Sequence, residues 1–162
     1  MQILGRLYGL EAPLEAALAY TPDIGRLIDL RARVRSGLIA SDLLALQLTA
    51  AQIAVLPQCM FGPFADAAEA LGWIYVLERA SMLHDTVRRH VVSCVPALES
   101  ATAYLSACDA ARPTRWAELV NALDRHAQTL PVQARVLAGA REAFRRTLEW
   151  FHHREPLMAR GA

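Results

Sequence analysis

Apolar residues recur at three- and four-residue spacing along almost the whole chain, and nowhere do they alternate with period two over a useful length. Ile3, Leu4, Leu7, Leu10, Leu14 and Leu18 form the first stripe. They predict a helix from Met1 to about Tyr20, with Pro13 kinking it or starting a new one. The stripe is already running at residue 3 with no capping residue before it, so the chain is expected to begin inside a helix. Thr21-Pro22-Asp23 stops this helix and starts a second, which is expected to reach about Arg35 through Ile24, Leu27, Ile28, Leu30 and Val34. Arg31, Arg33 and Arg35 fall mainly on its other side, and Ser36-Gly37 closes it. A short third helix is expected after Ser41-Asp42, and Thr49-x-x-Gln52 has the spacing of a capping box for another turn or two.

Pro57 to Pro63 reads as a loop. From Phe64 to about Val92 there is no proline and one glycine, Gly72, which predicts the longest helix of the chain. Val95-Pro96 breaks it, and Ala97 to Cys108 reads as a fifth helix. Arg112-Pro113-Thr114 introduces a sixth through Trp116, Leu119, Val120 and Leu123. Leu130-Pro131 opens the last, through Val136, Leu137, Ala140, Phe144, Leu148 and Phe151. The expectation is an all-α bundle of about seven helices in a single domain, residues 1–155, with a flexible C-terminal tail over 156–162.

The 162 residues suffice for one core without disulfides or a structural metal. A hydrophobic fraction of 54 % and a mean hydropathy of +0.21 exceed what such a core requires, and predict surface reserved for a ligand, a partner or a second copy. No apolar run approaches the roughly 20 residues of a membrane span, and the first residues lack the pattern of a signal peptide. The cytoplasm is the expected location. All 17 basic residues are arginine, read as a compositional bias, and the net charge of +1 leaves no basic excess for DNA or RNA. Cys59, Cys94 and Cys108 are an odd count in no metal spacing and read as reduced thiols. No Ser-His-Asp order, nucleophile elbow, phosphate loop or Cys-x-x-Cys is present.

The stretch Leu71-Gly72-Trp73-Ile74-Tyr75-Val76-Leu77-Glu78, continued to Val91 through Arg79, Leu83, His84, Arg89 and His90, resembles the distal helix of bacterial, biliverdin-producing heme oxygenases of the bacteriophytochrome-associated type. Tyr8 to Glu15 is similar to that family's second helix, and Asp42-Leu43-Leu44-Ala45-Leu46 to its Asp-Leu-x-x-Leu. Arg115-Trp116 and Ala140-x-x-x-Phe144-x-x-x-Leu148-x-Trp150 also fit. The resemblance covers nearly all of the chain and implies a heme-oxygenase-like multi-helix bundle that lacks the first helix.

It also implies two losses. Where the family has glycines that bring bare backbone over the heme face, this chain has Arg79, Leu83 and His84, whose side chains would fill that space and remove the kink glycines permit. The family's proximal histidine lies on a helix before the Tyr8-Gly9-Leu10-Glu11 match, and the first histidine here is His84, on the wrong helix. The apolar groove that a first helix would fill is then expected to be covered by a second copy or a protein partner.

Tyr75, Arg79, Leu83, His84 and Arg88 are accordingly the residues expected to line the former heme pocket. His84 reads either as a replacement iron ligand or pocket-filling group, or as a partly buried histidine paired locally with Arg88 or backbone. His84 and His90, six apart, do not share a helix face. Arg88-Arg89-His90 could meet propionates, an acidic partner or water. Trp73, Tyr75, Trp116 and Trp150 read as core, and Glu149-x-x-His152 is half of a di-iron motif whose other half is missing. The function expected is that of a degenerate, non-catalytic heme-oxygenase-like protein. It would act as a protein-interaction or regulatory module, or bind a tetrapyrrole, and carry no catalytic residues, metal or cofactor. The competing reading is an active enzyme converting heme to biliverdin with a substituted or upstream iron ligand.

Overall fold

Helix α1 (Gln2–Ala19) runs through Pro13 and buries Leu10, Leu14 and Leu18, as the stripe predicts. It belongs to a computed structural model that describes residues 2–107 and 112–152, among which every regular element is helical. Met1, Cys108 and the expected tail lie outside the described residues. α1 is shared by two apolar clusters. One gathers Leu14, Ile24, Leu71, Trp73, Ile74 and Leu119; the other gathers Ile39, Leu43, Ile53, Leu56 and Tyr104, with Leu4, Leu7 and Tyr8 packed against it.

The expected helix from Asp23 to Arg35 is not formed. Only α2 (Ile24–Leu27) is α-helical, after Asp23 at φ 59°, and a 3-10 turn over Arg31–Arg33 follows an extended Ile28. Side chains take the backbone groups a helix ladder would have used. The Asp29 carboxylate accepts from Arg31 N at 2.9 Å, Glu118 accepts from Asp29 N at 2.8 Å, and the Arg33 guanidinium donates to the Asp29 carbonyl at 2.8 Å. This irregular path turns Arg33 and Arg35 inward, where the periodicity had them facing away from the core.

Ser36-Gly37 opens α3 (Ser36–Ala45) instead of closing a helix. Glu15 of α1 accepts from Arg35 N at 2.6 Å, from Ser36 N at 2.9 Å and from the Ser36 hydroxyl, satisfying the donors at that helix start. Ser41-Asp42 therefore lies inside α3. The Asp42 carboxylate receives Ala103 N at 2.7 Å and Tyr104 N at 2.9 Å at the start of a distant helix. The Thr49 capping box forms as expected and starts α4 (Ala50–Ala54), and the following loop reaches α5 without regular structure.

No single helix spans Phe64 to Val92. α5 (Ala67–Ser81) ends at Met82-Leu83, and α6 (His84–Cys94) begins there. Met82 N turns to the Arg79 carbonyl at 3.2 Å, while the Ser81 hydroxyl donates to the Glu78 carbonyl at 2.7 Å. A serine thus does locally what glycine was thought necessary for: it lets the ladder break without orphaning a buried carbonyl. After Val95-Pro96, the expected fifth helix is a 3-10 stretch, Pro96–Ala101, followed by α7 (Ala103–Ser106).

α8 (Arg112–His126) and α9 (Leu130–His152) start where the proline signals place them, and α9 is the longest element among the described residues. Its buried face is not the predicted stripe. Gly139 and Ala143 are buried, whereas Leu137, Phe144 and Leu148 are 56, 63 and 61 % exposed. The reason is the closeness of α5. A Cβ on Gly72 would lie 2.6 Å from Ala140 N, and one on Gly139 would lie 3.0 Å from Glu69 Cα and inside its carbonyl oxygen. The two backbones touch through small residues, and the bulky side chains are left outside.

Candidate functional site

The residues expected to line one pocket are dispersed. Tyr75 and Arg79, on the exposed side of α5, both face Trp116 of α8: the Tyr75 ring lies 5.7 Å from the indole, and the Arg79 guanidinium stacks over it, also at 5.7 Å. Leu83 is exposed at the α5–α6 break. His84 is buried, with its ring 4.7 Å from Tyr104. Arg88 pairs with Asp85 at 3.3 Å, and Arg89 reaches the same carboxylate at 3.0 Å. Trp73 is core, and Trp150 donates to the Arg6 carbonyl at 2.8 Å. Glu149 is taken by Arg145 at 2.7 Å. Among the described residues no group of three or more His, Cys, Asp or Glu side chains is placed to hold a metal.

Two other features are built more deliberately. The first is a buried cluster of charge around Glu78, which is 1 % exposed. Arg35 reaches its carboxylate at 3.0 Å, Arg115 at 3.3 Å and Arg33 at 3.4 Å. Arg33 also pairs with Glu118 at 2.6 Å and donates to the Arg115 carbonyl at 2.7 Å. Four segments, the 3-10 turn, the start of α3, α5 and α8, are thereby tied to one carboxylate. The sequence reading missed this cluster because it counted arginines as surface. The available signal was Glu78 itself, a charge seven residues after Leu71 and four after Ile74, in the middle of an apolar stripe.

Beside the cluster, Glu11 of α1 is buried and accepts a hydrogen bond from the Tyr104 hydroxyl. A cavity of about 20 Å³ between Glu11, Glu15, Arg35 and Glu78 has room for about one water. Burial pushes the Glu11 carboxyl above its usual 4.5, against the pull of Arg35 and of Tyr104. The folded protein holds this proton where the unfolded chain has lost it, so its contribution to stability is complete below 4.5 and fades as pH rises through the raised value. Glu11→Gln keeps an acceptor for Tyr104 and removes the titration. The variant is expected to gain on the wild type in thermal melts as pH goes from 4.5 to 8. Parallel profiles for the two proteins would refute the assignment.

The second feature is an apolar groove of about 560 Å³. Ile3, Leu4 and Leu7 of α1, Leu46, Val87 and Val91 of α6, and Leu98 and Leu105 line it. Gln2 and Thr102 are the polar residues of its described lining, and none of the five expected pocket residues is part of it. The volume is that of a small-molecule site.

No family model, curated protein or solved structure matches the chain. No helix among the described residues is long and apolar enough to cross a membrane.

Proposed function

We propose that the protein is a non-catalytic, heme-oxygenase-like binding module whose apolar groove takes a flat, tetrapyrrole-sized molecule by shape and burial alone. The observation that carries this reading is the groove: about 560 Å³ lined mainly by aliphatic side chains, with no histidine, cysteine, tyrosine or methionine among the described residues of its lining. The residues there do not fit a heme iron, which needs a nitrogen, sulfur or phenolate ligand from the protein. His84, the nearest sequence candidate, lies one turn before Val87 and packs on Tyr104.

The positions that carry the family resemblance support a structural inheritance. Glu11, Glu15, Asp42, Glu78 and Arg115 belong to the quoted stretches, and each serves as a buried bond or a helix-end partner in this fold, whereas Arg89 and His90 of the same stretches are exposed on α6. Arg79, Leu83 and His84, which depart from the family pattern, are exposed or packed against neighbours.

The test is a parallel titration with hemin and iron-free protoporphyrin IX, followed by tryptophan quenching. Both are expected to bind within about threefold of each other, and Val91→Arg is expected to weaken both at least tenfold, about 1.4 kcal/mol. Hemin reduced in air should yield no biliverdin. The reading fails if neither porphyrin binds at 50 µM (roughly −5.9 kcal/mol). It also fails if hemin binds far more tightly than the iron-free ring with a Soret band that His84→Ala abolishes.

A further inference from the structure

Along the outer face of α9, positions 134, 137, 141, 144, 148 and 151 advance in alternating steps of three and four, the spacing of a two-stranded coiled coil. They hold Ala134, Leu137, Arg141, Phe144, Leu148 and Phe151. All but the half-buried Phe151 are exposed, while the opposite face of α9 is committed to α5 through Gly139 and Ala143. The seam is therefore surplus to the core of its own chain. We infer that it is the interface of a homodimer in which α9 of two copies packs antiparallel.

The one charged residue of the seam selects this occupant and direction. In a parallel pair Arg141 would face the Arg141 of its partner within one layer, placing like charges together in an apolar contact. The antiparallel register sets Ala134 against Phe151, Leu137 against Leu148, and Arg141 against Phe144. Each layer then pairs small with large, aliphatic with aliphatic, or guanidinium with ring. The last of these is a cation–π contact repeated on either side of the two-fold axis. At the observed exposures these side chains present roughly 500 Å² per copy, so the pair buries on the order of 1,000 Å², the low end for specific association. A dimer in the micromolar range follows.

Light scattering on the full chain over 5–200 µM is expected to show mass rising towards twice 17.8 kDa. Leu137→Glu with Leu148→Glu, both on exposed positions, should hold the mass at 17.8 kDa with an unchanged far-UV circular dichroism spectrum. Direction is read from disulfide trapping in a background with Cys94 and Cys108 changed to serine. Ala134→Cys alone should not cross-link, but mixed with Phe151→Cys it should. A wild-type monomer at 200 µM, a dimer that survives the double glutamate variant, or efficient trapping by Ala134→Cys alone each overturns the proposal.

Discussion

Glu78→Ala is expected to destabilise the protein by about 3–5 kcal/mol, because it leaves guanidinium groups buried without their carboxylate. Arg33 keeps Glu118 as a partner at 2.6 Å, but Arg35 and Arg115 lose the carboxylate they share. For a domain of this length each kcal/mol moves the melting temperature by about 2–4 °C, so a fall of roughly 6–20 °C is expected. Glu78→Gln keeps the volume and an acceptor while removing the charge, and should fall between the two. Thermal or urea unfolding of the three proteins checks this. If Glu78→Ala melts within two degrees of the wild type (under roughly 1 kcal/mol), the cluster does not hold its four segments together.

A second large effect is expected from one methyl group. Alanine is favoured over glycine inside a helix by about 1 kcal/mol, so Gly139→Ala would stabilise α9 if nothing stood in the way. Here the new Cβ runs into the backbone of Glu69, with Cα at 3.0 Å and the carbonyl oxygen nearer still. Backbone does not swing aside as a flexible side chain does. Forcing an extra methyl into such a contact costs about 1–3 kcal/mol and sometimes more, and the upper part of that range applies. A net loss of about 2 kcal/mol is expected after the helix gain is deducted. Gly37→Ala in α3, where a Cβ would meet nothing within 4 Å, should instead gain a few tenths of a kcal/mol. Opposite signs from the same substitution, measured by chemical denaturation, are the signature of close helix approach. Equal signs would refute it.

What the pattern of residues revealed was local. The Thr49 capping box, the loop before α5, the Val95-Pro96 break and the proline-led starts of α8 and α9 each depend on a few adjacent residues, and each forms. Errors arose where a distant group decided the outcome. Asp29 and Glu118 dissolve the helix expected through Arg35, and Glu15 converts Ser36 from a stop into a start. On α9 the approach of α5 selects the small face over the bulky one, against the usual sense of an amphipathic stripe. The groove was illegible for the same reason. Its lining comes from residues 2–7, 46, 87–91 and 98–105, which lie on separate elements and meet only in the fold.

The contact between Gly72 and Gly139 also sets a timetable for biosynthesis. At about 5–20 residues per second, the stretch from 82 to 152 takes roughly 4–14 s to emerge after α5 has been made. Throughout that interval the nascent chain carries α5 with its small-residue flank not yet met by α9, which is made later. This contact joins residues far apart in sequence, so its loop-closure entropy is met only after both helices exist.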